Sequence, residues 1–456
     1  MEDFIPQSVL FFRPSHRWLT EECVRLVEQK SYAAGTEFYP EACRLCSAGL
    51  LRAHTEFIQR TRTKLRSIRR GSKRWWQLSN VVLSRIAKPS NSPLKRSDGS
   101  WAVSSIAKAE LLASSFSSKW SMPDPVRNLF TDVSDTIVPS DGVGFFRIRL
   151  RCTRSVLSSL RADSGTGPDL LPARVLKMCA RSLAVPVCLL ARSIVAHSRW
   201  PACWCDHWIY ALYKRHAMSD PDNYRGLQLT PQLSKVVERL IASLFVPRLE
   251  RIGAFGMHQF AYRQKRGARD ALLHLVLSSL HAFSMGHRIV IYCSDVSGAF
   301  DCVDAERLCA KLRSFSVPEQ LVDLLASWLR PRRARVVVGG QQSSPIDMRD
   351  MVYQGTVLGP VLWITFFSDS CIAVRAEGFD EIIFADDLSA WKAIPPHVSD
   401  EEALNLSANC QRSLHDWGRA NRVRFDPGKE SHRILSRRDR QVTVLSRWGF
   451  CWTQNS

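Results

Sequence analysis

The chain has 456 residues, 45% of them hydrophobic and 23% charged, so a packed core is within reach and wholesale disorder is excluded. Lys plus Arg number 63 against 43 Asp plus Glu, a net charge of +20; this points to a polyanionic partner, nucleic acid first and anionic lipid second. The longest stretch without Asp, Glu, Lys or Arg, Met351 to Ser368, contains Gln354, Gly355, Gly359 and Pro360 and would make a poor membrane span.

Residues 1–150 read as a helical, basic extension. MEDFIPQSVL carries acids and no basic n-region, so no secretory leader is expected. The 14 cysteines follow no framework and read as small hydrophobes of a reducing compartment. Cys43 and Cys46 have CxxC spacing with His54 downstream, but no second pair follows, so helical packing is expected rather than a zinc site. Between Arg60 and Arg74 stand eight basic residues and no acid: Arg60, Arg62, Lys64, Arg66, Arg69, Arg70, Lys73 and Arg74, followed by Trp75 and Trp76. Such a run is either a solvated helix face or a phosphate-backbone contact, because like charges this dense repel until an anion neutralises them. Lys88 to Trp101 is rich in Pro, Ser and Gly and reads as a linker. A helix is expected from about Ile106 to Phe116.

Residues 151–285 mix helices and turns. Ser164 to Asp169 is a turn opening onto a helix expected over Pro172 to Leu183, and Pro221 to Gly226 is a second sharp turn. An amphipathic helix is expected from about Gln232 to Leu249, with Val236, Val237, Leu240, Ile241, Leu244 and Phe245 on its apolar face.

Residues 286–430 change style. Ile289 to Cys293 is a β-rich run ending in Ser294–Asp295, and two helices follow, one carrying Leu308, Leu312 and Phe315, the other Leu321, Leu324, Leu325 and Trp328. Arg335 to Gln342 reads as a strand entering a hairpin turn. Glu381 to Trp391 reads as two strands joined by a tight turn at Asp386–Asp387, and Ser399 with Glu402 makes a capping box for a helix reaching Trp417. Strands alternating with helices on this plan give an α+β fold, one sheet backed by helices. Residues 431–456 are a short tail.

Three pieces carry chemistry. Asp295 ends a buried strand, where a carboxylate is either a helix N-cap or a site residue. Asp386 and Asp387 sit at a turn between apolar strands; turns favour Asp, but carboxylates crowded in a buried setting repel and need cations. Mg²⁺ takes hard oxygen ligands, and a pair of such ions could activate a 3′-hydroxyl and stabilise pyrophosphate. Gln354 to Pro360, with its glycines, lets backbone approach something bulky closely, or is simply a turn between hairpin and helix.

In this order, the blocks resemble the reverse transcriptases of non-LTR (LINE-type) retrotransposons. AspValSerGlyAlaPheAspCysVal, Asp295 to Val303, is similar to that family's first catalytic block. GlnGlyThrValLeuGlyPro, Gln354 to Pro360, is similar to the second, with Thr356 for Ser. PheAlaAspAsp, Phe384 to Asp387, is similar to the third. Trp417, Asn421, Gly428, Lys429 and Ser431 resemble the fourth, with Glu430 inserted. Upstream, GlyProAsp at 167–169, LeuTyrLys at 212–214, TyrArgGlyLeuGlnLeu at 224–229, SerLysValValGluArg at 234–239 and GlnPheAlaTyrArg at 259–263 also match. Gly226 stands where Pro is usual, and Ala261–Tyr262 where Gly-Phe is usual. The likeness covers residues 60–430 or so, and Pro93 to Trp101 and Lys108 to Phe116 resemble the segment between endonuclease and polymerase.

The resemblance implies a right-hand polymerase: fingers at 151–285 and an antiparallel palm sheet backed by helices at 286–430. It implies RNA-directed DNA polymerase activity with an RNA template, a DNA primer, dNTPs and two Mg²⁺ ions, for which Mn²⁺ could substitute. By likeness Asp295, Asp386 and Asp387 hold metal, Phe300 is a steric gate against the 2′-hydroxyl, and Gln354 and Gly355 line the nucleotide pocket. Lys214 and Arg225 neutralise triphosphate oxygens, and Lys429 protonates the leaving pyrophosphate. The basic surplus would grip the template–primer duplex through Arg60, Arg62, Lys64, Arg66, Arg69 and Arg70, and through Arg330, Arg332, Arg333 and Arg335. The sequence shows neither an apurinic-type endonuclease pattern nor a Cys/His knuckle, and 27 residues after Lys429 are too few for thumb helices. A chain truncated at both ends, with the thumb largely absent, is therefore the expectation. A catalytically silent nucleic-acid-binding remnant is the alternative. Nuclear and cytoplasmic residence follows from the family, with no membrane partner expected.

Overall fold

The computed structural model describes residues 18–33, 36–70, 72–82, 93–120 and 147–436. They fall into two compact units, divided between residues 89 and 90. The first unit is helical: α1 (Glu21–Tyr32), α2 (Tyr39–Ser67) and α3 (Lys73–Val82). Pro40 suits the first turn of α2, where its missing N–H costs nothing. Cys23, Cys46 and Thr61 are buried, so Cys46 is packed while Cys43, one turn away, is half-exposed. Trp75 and Trp76 meet edge to face at 4.8 Å.

The second unit begins with a small hairpin, β1 (Leu94–Lys95) and β2 (Trp101–Ala102), and α4 (Ser105–Lys119), capped by the Ser104 side chain at the Ala107 amide. Then come α5 (Leu150–Ser158), α6 (Ala173–Met178), α7 (Ala180–Ala196), β3 (Asp206–Tyr213), β4 (Tyr224–Leu229), α8 (Gln232–Arg251) and α9 (Ala268–Ser284). The chain continues through β5 (Arg288–Asp295), α10 (Ala305–Ser314), α11 (Glu319–Leu329), β6 (Arg332–Val338), β7 (Gln341–Gln342), β8 (Ile346–Met348) and α12 (Leu358–Phe367). It closes with α13 (Ser370–Ala376), β9 (Asp380–Phe384), β10 (Asp387–Ile394), α14 (Asp400–Asn421) and β11 (Ser431–Leu435). The zone expected over residues 1–150 is thus split. Helix α4 packs against β6, β7 and β8, and joins the second unit. The linker expected at residues 88–101 is described only from 93, where it forms the hairpin; the N-terminal decapeptide and most of the tail lie outside the described residues.

Two larger sheets, rather than the single sheet expected, organise the second unit, because β6 pairs with β3 and not with β5. One has strand order β11-β5-β10-β9, all antiparallel. The other has order β4-β3-β6-β7 with β8 also on β6, and its β3–β6 pair is parallel. Strand β5 explains the layering. Ile289 and Ile291 enter a core shared with Ala271 and Leu275 of α9, whereas Val290 and Tyr292 enter the main core. Alternate residues face opposite sides of a strand, so a sheet covered on both sides needs apolar residues at successive positions. Helix α12 is apolar all round because it runs through the main core. The stretch Leu358–Ala376 has the length and hydropathy of a membrane span, yet most of it is buried inside the unit.

Three expected elements differ in the structure. The helix expected over Pro172–Leu183 is two, α6 and α7, meeting at Cys179, whose ψ of 14° leaves the helical range. The strand expected from Arg335 starts at Arg332, because Arg332, Ala334 and Val336 all point inward. The turn expected at Asp386–Asp387 sits one residue earlier, and Asp387 is the first residue of β10.

Candidate active site

Strands β5 and β10 lie side by side with Asp295 directly opposite Asp387. The β9–β10 turn places Asp386 next to both. This turn is held in an unusual shape: Ala385 has φ of +62°, a left-handed conformation that costs an L-residue roughly 1–2 kcal/mol. The Gln259 side chain holds it there. Its Oε1 accepts from the Ala385 amide at 3.0 Å, and its Nε2 donates to the Ala385 carbonyl at 3.4 Å. The Trp363 indole N–H donates to the same carbonyl at 3.1 Å. Gln259 is only 2% exposed, and its own segment is stitched to β9 by Phe260 N–H to Ile383 O and Ile383 N–H to His258 O, both 2.9 Å.

The carboxylates feel one another. Burial first, then the charge of Asp295, pushes Asp386 up to about 6. Burial, then the charges of Asp386 and Asp295, pushes Asp387 up to about 8. Lys429 donates to Asp295 and lies 3.6 Å from Asp426; burial works against its charge, but these two acids raise its pKa overall. One ammonium therefore faces three crowded carboxylates. Among the described residues no three His, Cys, Asp or Glu side chains stand preassembled as a ligand shell. Nevertheless, a hard, all-oxygen donor set short of positive charge is what a divalent cation fits.

Phe300 stands on a short turn, Ala299–Asp301, entered through Gly298 at φ +66°. Its ring stacks on Trp363 with centroids 6.1 Å apart and meets Tyr262 edge-on at 6.3 Å. Gln354 is half-buried in the turn before α12, and Gly355 has φ of +80°. A Cβ on Gly355 would meet the Gln228 carbonyl oxygen at 2.5 Å, so both conformation and space demand glycine. Lys214 follows β3 and Arg225 lies on β4, both exposed. Their charges reach Asp301: burial drives that carboxyl up to about 6, and Lys214, Arg225 and Lys119 pull it back. Arg225 acts on Asp386 in the same sense. Both cations thus bear on Asp301, and Arg225 also on Asp386.

Gln259, Tyr262, Asp301 and Glu238 all lie inside the sequence blocks that carry the resemblance, but nothing local in the chain marks a role for them. Tyr262, in the left-handed region at φ +57°, is near enough to Asp386 for that charge to raise its phenol, after burial.

The proposed nucleic-acid contacts divide. Arg60, Arg62, Lys64, Arg66, Arg69 and Arg70 are exposed in the first unit. Arg333 is exposed beside Asp206 at 3.7 Å. Arg332 cannot grip a duplex, because it is 2% exposed. Its guanidinium lies 3.9 Å from the Tyr353 ring centroid and 4.6 Å from that of Trp328. It donates to His207 Nε2 at 3.0 Å and to the Trp328 carbonyl at 2.8 Å, while the other His207 nitrogen faces Gln228 Oε1 at 3.3 Å. The strand's period of two turns this arginine inward. Replacing Arg332 with methionine is expected to cost about 3–5 kcal/mol of stability, since it removes one partner of a buried polar network, while leaving the salt dependence of RNA binding unchanged. Arg62→Ala with Lys64→Ala is expected to do the reverse; denaturant titrations and binding at several salt concentrations separate the two.

Comparison with known proteins adds the following. Residues 214–432 match the family model described as reverse transcriptase (RNA-dependent DNA polymerase). The chain is 26% identical over 391 residues to the RNA-directed DNA polymerase from mobile element jockey of Drosophila melanogaster, covering 82% of this chain and 41% of that protein. The jockey protein of Drosophila funebris is 27% identical, over 77% of this chain and 40% of its own length. The Pol polyprotein from type-1 retrotransposable element R1 of Bradysia coprophila is 24% identical, over 58% of this chain and 26% of its own. The chain spans about two fifths of the length of the jockey proteins it matches.

Proposed function

We propose that residues 214–432, which match the reverse transcriptase family model, are a reverse transcriptase region of the non-LTR retrotransposon type, and that the chain is an RNA-directed DNA polymerase. It adds dNTPs to a primer 3′-hydroxyl on an RNA template. In this reading the β4-β3-β6-β7 sheet with its helices forms the fingers, and the β11-β5-β10-β9 sheet forms the palm, so β6, β7 and β8 leave the 286–430 range expected for the palm because β6 pairs with β3. The single observation that carries the reading is the convergence of Asp295, Asp386 and Asp387 at adjoining strand ends, within reach of the charges of Lys429 and Arg225.

Asp295, Asp386 and Asp387 would hold two Mg²⁺ ions, which when bound supply Lewis acidity toward the 3′-hydroxyl and charge neutralisation toward pyrophosphate. Lys214 and Arg225 neutralise triphosphate oxygens, the first as a point charge and the second as a fork. Phe300 walls the sugar and rejects a 2′-hydroxyl by clash. Gln354 and Gly355 shape the floor of the nucleotide pocket. Lys429, an ammonium inside the site, holds a proton at Nζ for the departing pyrophosphate. The exposed bases of α2 grip phosphates without regard to sequence.

The test is primer extension on poly(rA)/oligo(dT) with Mg²⁺ and dTTP, using the chain beside an Asp386→Ala, Asp387→Ala double variant. Extension by the parent alone supports the reading. No extension by either, with salt-sensitive duplex binding retained, would establish the silent remnant instead.

The raised carboxyls give a second test. A proton held more tightly folded than unfolded means stability is lost as the pH rises. The cation-free chain is thus expected to lose stability from about pH 4, the ordinary Asp value, through the raised values of about 6 and about 8. Mg²⁺ is expected to raise the melting temperature by a few degrees at pH 8 and hardly at all at pH 4.5. Equal shifts at both pH values would contradict binding at these carboxylates.

A further inference from the structure

We infer that Glu238 is a positioning residue for the nucleotide pocket: its carboxylate, buried beneath the pocket, sets the Gln354–Thr356 turn by capping α12 from another helix. The inference rests on the polymerase reading for what the turn does, and on geometry alone for what holds it.

Glu238 comes from α8 and has no exposed surface. Its Oε2 accepts the Val357 amide at 2.6 Å and the Leu358 amide at 3.2 Å. These are the orphan donors at the start of α12, and the cap residue of that helix, Val357, has no oxygen to offer them. A carboxylate there satisfies the amides and suits the positive end of the helix. Burial pushes the Glu238 carboxyl up, while the Arg332 guanidinium and the two amides favour its charged form. The inward arginine thus has a use other than a grip on nucleic acid.

From these two amides the constraint runs both ways along the turn. Thr356 Oγ1 donates to the Tyr353 carbonyl at 2.5 Å and accepts the Gly359 amide at 3.2 Å. Gly355 is pressed against the Gln228 carbonyl on β4; a Cβ on Gly359 would stand 2.9 Å from Thr356 Oγ1 and from the Tyr353 carbonyl, with the Phe300 ring in ordinary contact at 3.6 Å. The Val352 amide donates to the Phe300 carbonyl at 2.9 Å. A small shift of the turn therefore moves both Gln354 and the wall at Phe300.

Glu238→Gln keeps the shape but loses the charge, and a charge-assisted hydrogen bond is about twice as strong as a neutral one. The variant is expected to speed hydrogen exchange at the Val357 and Leu358 amides about tenfold. It is also expected to raise KM for dTTP about tenfold with kcat within about twofold, to loosen discrimination against rUTP, and to leave primer–template affinity unchanged. Val237→Ala, a neighbouring buried residue on the same helix, is the control: it should lower the melting temperature without changing KM. Unchanged exchange at the two amides overturns the inference, as does a KM change that Val237→Ala reproduces in proportion to lost stability. Should the parent chain extend no primer, the polymerase reading fails, and the exchange result still decides what Glu238 holds.

Discussion

Replacing Gln259 by alanine is expected to slow primer extension by about a hundredfold, more than any change in duplex affinity. The Ala385 amide would lose the Gln259 oxygen at 3.0 Å, and an unmet buried donor costs about 1–3 kcal/mol. The carbonyl would keep Trp363 as donor. With Ala385 already in a left-handed conformation, the turn is free to relax, and Asp386 and Asp387 move with it. A displacement of about 1 Å at reacting groups is worth about 10²-fold in rate. Two further variants sharpen the result. Gln259→Glu keeps an acceptor for the amide and loses the donor, so an intermediate rate is expected. Ala385→Gly removes the conformational strain, so it should stabilise the parent slightly and restore part of the activity lost in Gln259→Ala. A Gln259→Ala chain that extends at the parental rate would show that the turn needs no such support.

The second large effect is expected at Phe300. Its ring is fixed by Trp363 on one face and Tyr262 at an edge, and its carbonyl by the Val352 amide. On the proposed reading this ring is the wall of the sugar pocket, and rejection of a 2′-hydroxyl by clash needs such rigidity. Phe300→Ala is expected to raise ribonucleotide over deoxynucleotide incorporation by on the order of 10²-fold, read as the ratio of kcat/KM for rUTP and dTTP. The ring is half-buried, so the cost in stability should stay below the roughly 3–5 kcal/mol of a fully buried Phe→Ala change. An unchanged ratio would remove Phe300 from the sugar pocket.

The parts of this molecule that could be read from the chain are those set by local pattern. Ile289 to Asp295 is a strand because its residues suit one, and it is found as β5. Ser399 and Glu402 form the reciprocal cap, with Ser399 N–H to Glu402 Oε2 at 2.9 Å and Glu402 N–H to Ser399 Oγ at 3.1 Å. What escaped depends on partners far away in sequence. The parallel pairing of β3 with β6 joins residues 206–210 to 333–337, and no local signal announces it. Arg332 looked like one more surface base because charge hid the alternation of ArgArgAlaArgVal; only the neighbours Tyr353 and Trp328 show which way it turns. Gln259 lay in a quoted block, yet its task is visible only when residues 258–260 are laid beside β9. Glu238 is likewise a helix residue whose purpose belongs to another helix. Asp301 stands in the first catalytic block, and nothing local marks it as the acid on which Lys214 and Arg225 bear. Charge and polarity were legible as composition; their partners were not.

The most direct measurement is extension of a DNA primer on a heteropolymeric RNA of defined sequence, with Mg²⁺ and the four dNTPs, omitting each nucleotide in turn. The carboxylates, cations and gate described here predict products that stop one position before the first template base calling for the omitted nucleotide, and no product from the Asp386→Ala, Asp387→Ala chain. Extension indifferent to the omission, or equal extension by the double variant, would contradict templated synthesis at this site.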